Sequence, residues 1–262
     1  MTSDVLPIID LRSLEDYQYA HLKEATHLPW PDIQQRQHEL PARPAKLRLV
    51  GDEHYLADAN AFLVSKGYEI VESLCSQTME SSLTEQGNYS RRLWQPCSLI
   101  AEFSKYANRK TVLDIGCGGG RDAVFLAEQG GQVTAIDKQM VVLDRAKRLA
   151  DTHNVQVDFR CCDLTERTCL EDENFDVIVM IRYLNRNLFD WIKNHLKPNG
   201  HLIMQTFIEG VEPFGSPKNP SFILRSGELA KTFSDFKIII DKIETLDDGR
   251  PVASFVAQKN KL

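Results

Sequence analysis

The sequence predicts an α/β protein made of two consecutive units, each organised around strands joined by crossover helices. Three observations predict this. Short apolar runs alternate with amphipathic stretches along the chain, the grammar of strand and crossover helix. In the larger second part the runs are apolar almost throughout, as parallel strands covered on both faces must be. A polar stretch at 76–90, with one Leu and one Met, reads as a solvated linker between the parts.

The elements follow in order. Val5-Leu6-Pro7-Ile8-Ile9 reads as a strand, with Pro7 at its start or on an edge. Ser13 with Asp16 three residues on is an N-cap for a short helix, and Pro31 opens another that runs to about His38. A strand at 47–50 leads to a helix over 55–66. That helix has apolar residues at 56, 59, 62 and 63, and Gly67 stops it before a strand at 68–71. The second part repeats the pattern on a larger scale. Helices are expected at 96–106, 120–129, 139–152 and 187–195, and strands at 111–115, 132–136, 155–160, 175–181 and 201–207. The last two strands, 236–243 and 252–257, are joined by the hairpin-type turn Asp247-Asp248-Gly249. One antiparallel strand is therefore added late to a mostly parallel sheet.

Composition bounds the function. With 262 residues, 42% hydrophobic and 26% charged, the chain can bury a real core and is neither collagen-like, disordered nor a coiled-coil rod. Its longest apolar runs, such as 177–181, are too short to cross a bilayer, and Met1-Thr2-Ser3-Asp4 does not open a signal peptide. Cys75, Cys97, Cys117, Cys161, Cys162 and Cys169 show no C-x-x-C pair and no zinc spacing, so reduced thiols, a cytoplasmic setting and no metal are expected. The net charge is −6, and residues 1–75 hold twelve acids against seven bases. Bases elsewhere are scattered, which argues against nucleic acid as a partner.

The strongest local signal is Val112-Leu113-Asp114-Ile115-Gly116-Cys117-Gly118-Gly119-Gly120-Arg121, which joins a strand to a helix. Glycines there let the backbone turn tightly and approach a ligand. A dinucleotide fingerprint starting at Gly116 needs glycine at 121, where Arg121 stands, and Asp114 would repel a pyrophosphate. The acid suits a cationic ligand, and S-adenosylmethionine carries a sulfonium and an ammonium. Asp137, at the end of the next strand, is placed to accept from both ribose hydroxyls, and Asp163, after the third, from an adenine amine.

On these residues the chain resembles class I S-adenosylmethionine-dependent methyltransferases over about 90–260. The F-D-V-I-V strand, L-K-P-N-G-H-L at 196–202 and the terminal hairpin add to the match. Within that class it is most similar to the tellurite-resistance methyltransferase group, through G-C-G-G-G-R-D-A-V-F-L-A, Y-L-N-R at 183–186, Q-T-F at 205–207 and G-S-P-K-N-P-S-F-I-L at 215–224. The resemblance implies a Rossmann-like domain over 91–262. Its cofactor contacts would fall at Asp114, Gly116, Cys117, Gly118, Gly120, Arg121, Asp137, Lys138, Asp163 and Leu164.

Residues 4–75 resemble a rhodanese-like domain through Ile8-Ile9-Asp10-Leu11-Arg12, Glu15-Asp16-Tyr17, His21-Leu22 and Ala25-Thr26-His27-Leu28-Pro29. Active rhodaneses carry a persulfide cysteine after the strand matching 47–50. Here Gly51-Asp52-Glu53-His54-Tyr55 has none, and its two carboxylates oppose a persulfide anion. A non-catalytic domain over 1–75, with a protein as its partner, is expected.

The function expected is methylation of a small molecule. No D/N-P-P-Y/F motif follows the fourth strand, which disfavours the amino methylation that motif serves. Arg182, Tyr183 and Arg186 are expected beside the acceptor, with 91–94, including Trp94, as a lid. Two arginines without an evident base suit an acceptor that is already a soft anion: a thiolate, selenide or tellurium species. The alternative is a protein that binds S-adenosylmethionine for regulation or docking, without turnover.

Overall fold

The computed structural model describes residues 6–30, 32–163 and 173–261. The chain divides into two compact units, 1–95 and 96–262.

In the first unit, β1 (Ile8–Asp10), β3 (Ala25–His27), β4 (Lys46–Gly51) and β5 (Glu69–Cys75) form a parallel sheet in the order β3-β1-β4-β5. Between them lie α1 (Leu14–Tyr19), β2 (His21–Leu22) and α2 (Glu53–Ser65). The α1 cap is as expected: Ser13 Oγ accepts from the Asp16 backbone N–H at 3.1 Å. Apolar residues of the sheet and α2, among them Ile9, Leu47, Leu49, Ala59 and Leu63, form the core. The helix expected after Pro31 is instead two 3₁₀ turns, Asp32–Gln34 and Gln37–Glu39. A buried bidentate pair, Arg36 Nη2 to Glu39 Oε2 at 2.6 Å, spans three residues, a separation the tighter helix eclipses.

The segment 76–90 is not a solvated linker. Its β6 (Thr84–Glu85) pairs antiparallel with β2, His21 opposite Glu85. The Tyr17 hydroxyl donates to the Tyr89 carbonyl at 2.6 Å, and the His27 N–H donates to Ser90 Oγ at 3.0 Å. The attachment runs on past 90. The Thr26 hydroxyl donates to the Arg91 carbonyl, and Leu93 joins the core, so the boundary lies at 95 rather than 75. Backbone and hydroxyl bonds hold this segment, and they leave no apolar periodicity to read.

The second unit opens with α3 (Ser98–Phe103). It continues with β7 (Thr111–Ile115), α4 (Arg121–Glu128), β8 (Gln132–Asp137), α5 (Met140–Thr152) and β9 (Val157–Cys161). Then come β10 (Phe175–Ile181), α6 (Phe189–His195), β11 (Leu196–Phe207), α7 (Glu228–Thr232), β12 (Phe236–Thr245) and β13 (Pro251–Lys259). The sheet order is β12-β13-β11-β10-β7-β8-β9. Every pairing is parallel except the two made by β13, as the sequence predicts. The strands β7, β8 and β9 run toward one edge, and β10 then starts on the other side of β7. The order reverses there, and the carboxyl ends of β7 and β10 open the crevice where such sheets hold ligands. One thiol expectation fails: Cys162 is disulfide-bonded, while Cys75, Cys97, Cys117 and Cys161 are free.

Candidate active site

The loop after β7 turns on three glycines with positive φ, Gly116 (+72°), Gly118 (+53°) and Gly120 (+80°). They serve different ends. A Cβ on Gly116 would lie 2.8 Å from the Tyr183 ring, and one on Gly120 would lie 2.6 Å from Ala146 Cβ on α5. Those two positions are closed by the protein itself. A Cβ on Gly118 would meet nothing within 4 Å, so this glycine faces open space.

The loop is tied to the end of β8. The N–H groups of Gly116 and Cys117 both donate to the Ile136 carbonyl at 2.9 Å. The Gly118 N–H donates to Asp137 Oδ2 at 3.1 Å, and the Gln139 N–H donates to Asp137 Oδ1 at 2.9 Å. Both carboxylate oxygens of Asp137 are thereby oriented, with lone pairs left for a ligand.

Three acids surround the loop. Asp114 is 2% exposed, and its Oδ2 has no hydrogen-bond partner among the described residues. Burial, then the charges of Asp122 and Asp137, push its carboxyl well above the usual range. Burial also raises Asp122, which accepts from the Cys97 N–H at 2.7 Å. The Cys117 thiol is held protonated by burial and by Asp114 and Asp137. Clustered buried carboxylates with an orphaned oxygen form a site short of positive charge. A ligand with a sulfonium and an ammonium supplies that charge, so the residues present fit S-adenosylmethionine.

Next to the loop is a cavity of about 150 Å³ lined by Gly116, Asp137, Lys138, Cys162, Asp163 and Tyr183. This brings together Asp137, Lys138 and Asp163. Tyr183, expected beside the acceptor, borders this cavity. Arg121 is the exposed first residue of α4, and Leu164 lies outside the described residues.

At the end of β10, Arg182 takes a left-handed φ of +56°, its N–H donating to the Gln205 carbonyl at 2.7 Å. Such backbone strain in a non-glycine residue collects at functional sites. Its guanidinium lies 5.5 Å from the Phe207 ring centre, and that of Arg250, from the hairpin turn, lies 4.8 Å from the same centre. Arg250 is paired with Asp248 at 2.7 Å, whereas Arg182 makes no ion pair among the described residues. Crowding by the chain lowers the Arg182 pKa from its ordinary value.

A chain of polar groups, buried at Gln205 and Ser254, lies alongside. Cys97 Sγ donates to Gln205 Oε1 at 3.2 Å, Gln205 Nε2 donates to Ser254 Oγ at 2.7 Å, and the Ser254 hydroxyl donates to Glu244. Sequence reasoning missed Arg250, Phe207 and this chain. Q-T-F at 205–207 was the one available signal; the other members come from separate elements that only the sheet order brings together.

One expectation about the acceptor region is corrected. Arg186 is engaged by the protein: it donates twice to Glu228 and, at 2.8 Å each, to the Ser221 and Ile223 carbonyls. Of the segment 91–94, expected as a lid, Arg91 is bonded to β3 of the first unit, and Trp94 is buried with the Arg92 guanidinium 5.1 Å from its ring centre.

Residues 112–200 match the family described as a methyltransferase domain. An uncharacterized protein of Schizosaccharomyces pombe is 24% identical, over 96% of this chain and 93% of its own length. A ubiquinone biosynthesis O-methyltransferase of Rickettsia akari is 33% identical over 41% of this chain, and the match spans 44% of that protein. Among solved structures, TehB from Haemophilus influenzae has a TM-score of 0.53 at 22% identity, covering 62% of this chain and 61% of that one, a likeness of fold.

The matched methyltransferase domain sits within an α/β fold whose sheet is mostly parallel. The chain is an S-adenosylmethionine-dependent methyltransferase, and S-adenosylmethionine is its cofactor.

Proposed function

We propose that the chain methylates a small acceptor that is already anionic and soft, a thiolate, selenide or tellurium anion, held by Arg182 and Arg250 above Phe207. The observation that carries this is the pair of guanidinium groups on one ring at the carboxyl end of the sheet, with Arg182 lacking a carboxylate partner among the described residues. An anion there replaces the missing counter-charge.

In this reading Asp114, Asp137, Lys138, Asp163 and the loop at Gly118 hold the cofactor, which supplies an electrophilic methyl group. The arginines bind and orient the anion for in-line approach. The candidate bases are occupied. The Cys97 thiol is held protonated by burial and Asp122, and Glu244 is tied to Ser254 and Lys242. The acceptor therefore arrives ionised.

The test compares benzenethiolate, an anion at neutral pH, with phenol, its neutral counterpart. Methylation of the thiolate, with a rate that follows the thiol's own ionisation, is expected. Efficient methylation of phenol, with a pH profile set by a protein group, overturns the reading.

The first unit is read as rhodanese-like but without sulfur transfer, leaving protein binding as its role. Its parallel β3-β1-β4-β5 sheet supports the first part. The loop supports the second. Asp52 accepts from Ser76 Oγ at 2.8 Å, and the Tyr55 ring fills the space over Gly51, where a Cβ would lie 2.9 Å away. The loop at 51–55 holds no cysteine, and the free Cys75 stands opposite Gly51 at the end of β5 rather than in the loop. A cytoplasmic setting belongs to the same reading; no helix among the described residues is long and apolar enough to cross a membrane.

A further inference from the structure

Between β11 and α7 the chain makes a long excursion, 209–223, whose two ends are stitched together. Ile208 and Leu224 form a parallel bridge, the Glu209 N–H donates to the Leu224 carbonyl at 3.0 Å, and the Leu224 N–H donates to the Phe207 carbonyl at 2.9 Å. The excursion therefore starts and ends at Phe207, the ring both guanidinium groups face. It carries two large apolar side chains that stay half in solvent, Phe214 (51% exposed) and Phe222 (50%).

Two clamps hold it. At its returning end, Arg186 bonds the carbonyls of Ser221 and Ile223 and pairs with Glu228, and the pairing lowers the Glu228 pKa. Near its middle, the Phe214 ring rests on Gly249 of the hairpin turn, where φ is +84° and a Cβ would lie 2.8 Å from Phe214 Cε1. Gly249 directly precedes Arg250. The base of the excursion also touches the residue after it, the Ile208 N–H approaching the Pro251 carbonyl at 3.5 Å.

We infer that 209–223 is a strap forming one wall of the acceptor pocket, and that Arg186 and Phe214 are positioning residues that set where Arg250 stands over Phe207. Arg186 acts through the strap and touches no acceptor. Phe214 limits how far the hairpin turn can move, so it governs the width available to the acceptor. The inference rests on the acceptor reading above for the pocket's purpose, but the clamps can be tested without it.

The probe is phenylglyoxal, which modifies arginine side chains, applied to the full chain saturated with S-adenosylhomocysteine and mapped by peptide mass spectrometry. In Arg186→Lys the ion pair with Glu228 survives and the two carbonyl bonds are lost; in Phe214→Ala the rest on Gly249 is lost. Both variants are expected to let Arg250 react about tenfold faster, the equivalent of one charge-assisted hydrogen bond. S-adenosylhomocysteine affinity stays at the parent value, and the melting temperature falls by about 2–4 °C for each kcal/mol the clamp contributes. The benzenethiolate KM rises in the same variants, and kcat changes less.

Arg250 reactivity within roughly twofold of the parent in both variants overturns the inference. A raised KM in Arg186→Lys without faster Arg250 modification also overturns it, because Arg186 would then be a direct contact. If no form methylates benzenethiolate, the acceptor reading falls, and the Arg250 rates still decide the strap.

Discussion

Replacing Asp114 by Asn keeps the shape of the side chain and removes its charge. The carboxyl is buried at the end of β7 with Oδ2 unpartnered among the described residues, and Asp122 and Asp137 add their repulsion. It therefore titrates higher in the folded chain than the ordinary 3.8 of the unfolded one. The folded state holds the extra proton, so this group costs nothing at low pH. The cost appears as pH rises from 3.8 through the raised pKa. Asp114→Asn removes that cost, and at pH 7 to 8 the unliganded protein is expected to gain about 1.4 kcal/mol for each pH unit by which folding raises the carboxyl. For a domain of this size that is about 2–4 °C in melting temperature per kcal/mol. Cofactor binding should move the other way, weakening roughly 10–100-fold as an anion facing the sulfonium and ammonium is lost. Thermal melts from pH 5 to 8, with calorimetric titration of S-adenosylmethionine, read both. A variant that is less stable at pH 8, or that binds the cofactor like the parent, refutes the reasoning.

The loop glycines should separate fold from ligand. Gly118→Val meets no protein atom within 4 Å, so it is expected to cost about 1–2 kcal/mol of backbone strain while abolishing measurable cofactor binding; Gly120→Val drives into Ala146 and should unfold the second unit, as circular dichroism would show. Arg182→Ala should raise the benzenethiolate KM about tenfold or more, with cofactor affinity and melting temperature unchanged; weakened cofactor binding would move Arg182 to the other side of the site. Asp10→Ala strands Arg12, whose Nη2 lies 2.6 Å from Asp10 Oδ2 with both side chains buried, and should destabilise the first unit by about 3–5 kcal/mol in urea melts. The full chain should release no thiocyanate above background from thiosulfate and cyanide, because the loop at 51–55 holds no cysteine.

Much of the fold was legible because strand and helix leave periodic traces. The apolar runs at 111–115 and 175–181 became β7 and β10 with the expected bounds, and Asp247-Asp248-Gly249 marked the one antiparallel turn. The placement of the residues proposed for the cofactor was legible for a related reason: they lie at successive strand ends, and strand ends can be found by counting along the chain. Asp114, Gly118 and Asp137 fall together because β7 and β8 are neighbours in the sheet.

Elements held by polar bonds left no such trace. The β2–β6 pair rests on ladder bonds and hydroxyls of Tyr17, Thr26 and Ser90, and a polar sequence of that kind reads as linker. The acceptor side was hidden by distance. Arg182 and Arg250 meet over Phe207 only because β13 inserts between β11 and β12, an ordering no local pattern encodes. The fate of Arg186 was hidden in the same way. Its charge suggests an anion-binding group, and only the returning strap supplies Glu228 and two carbonyls to take up its donors. Local chemistry along the chain determined the cofactor loop. Long-range strand order decided that Arg186 meets Glu228 and two carbonyls, while Arg182 makes no ion pair among the described residues.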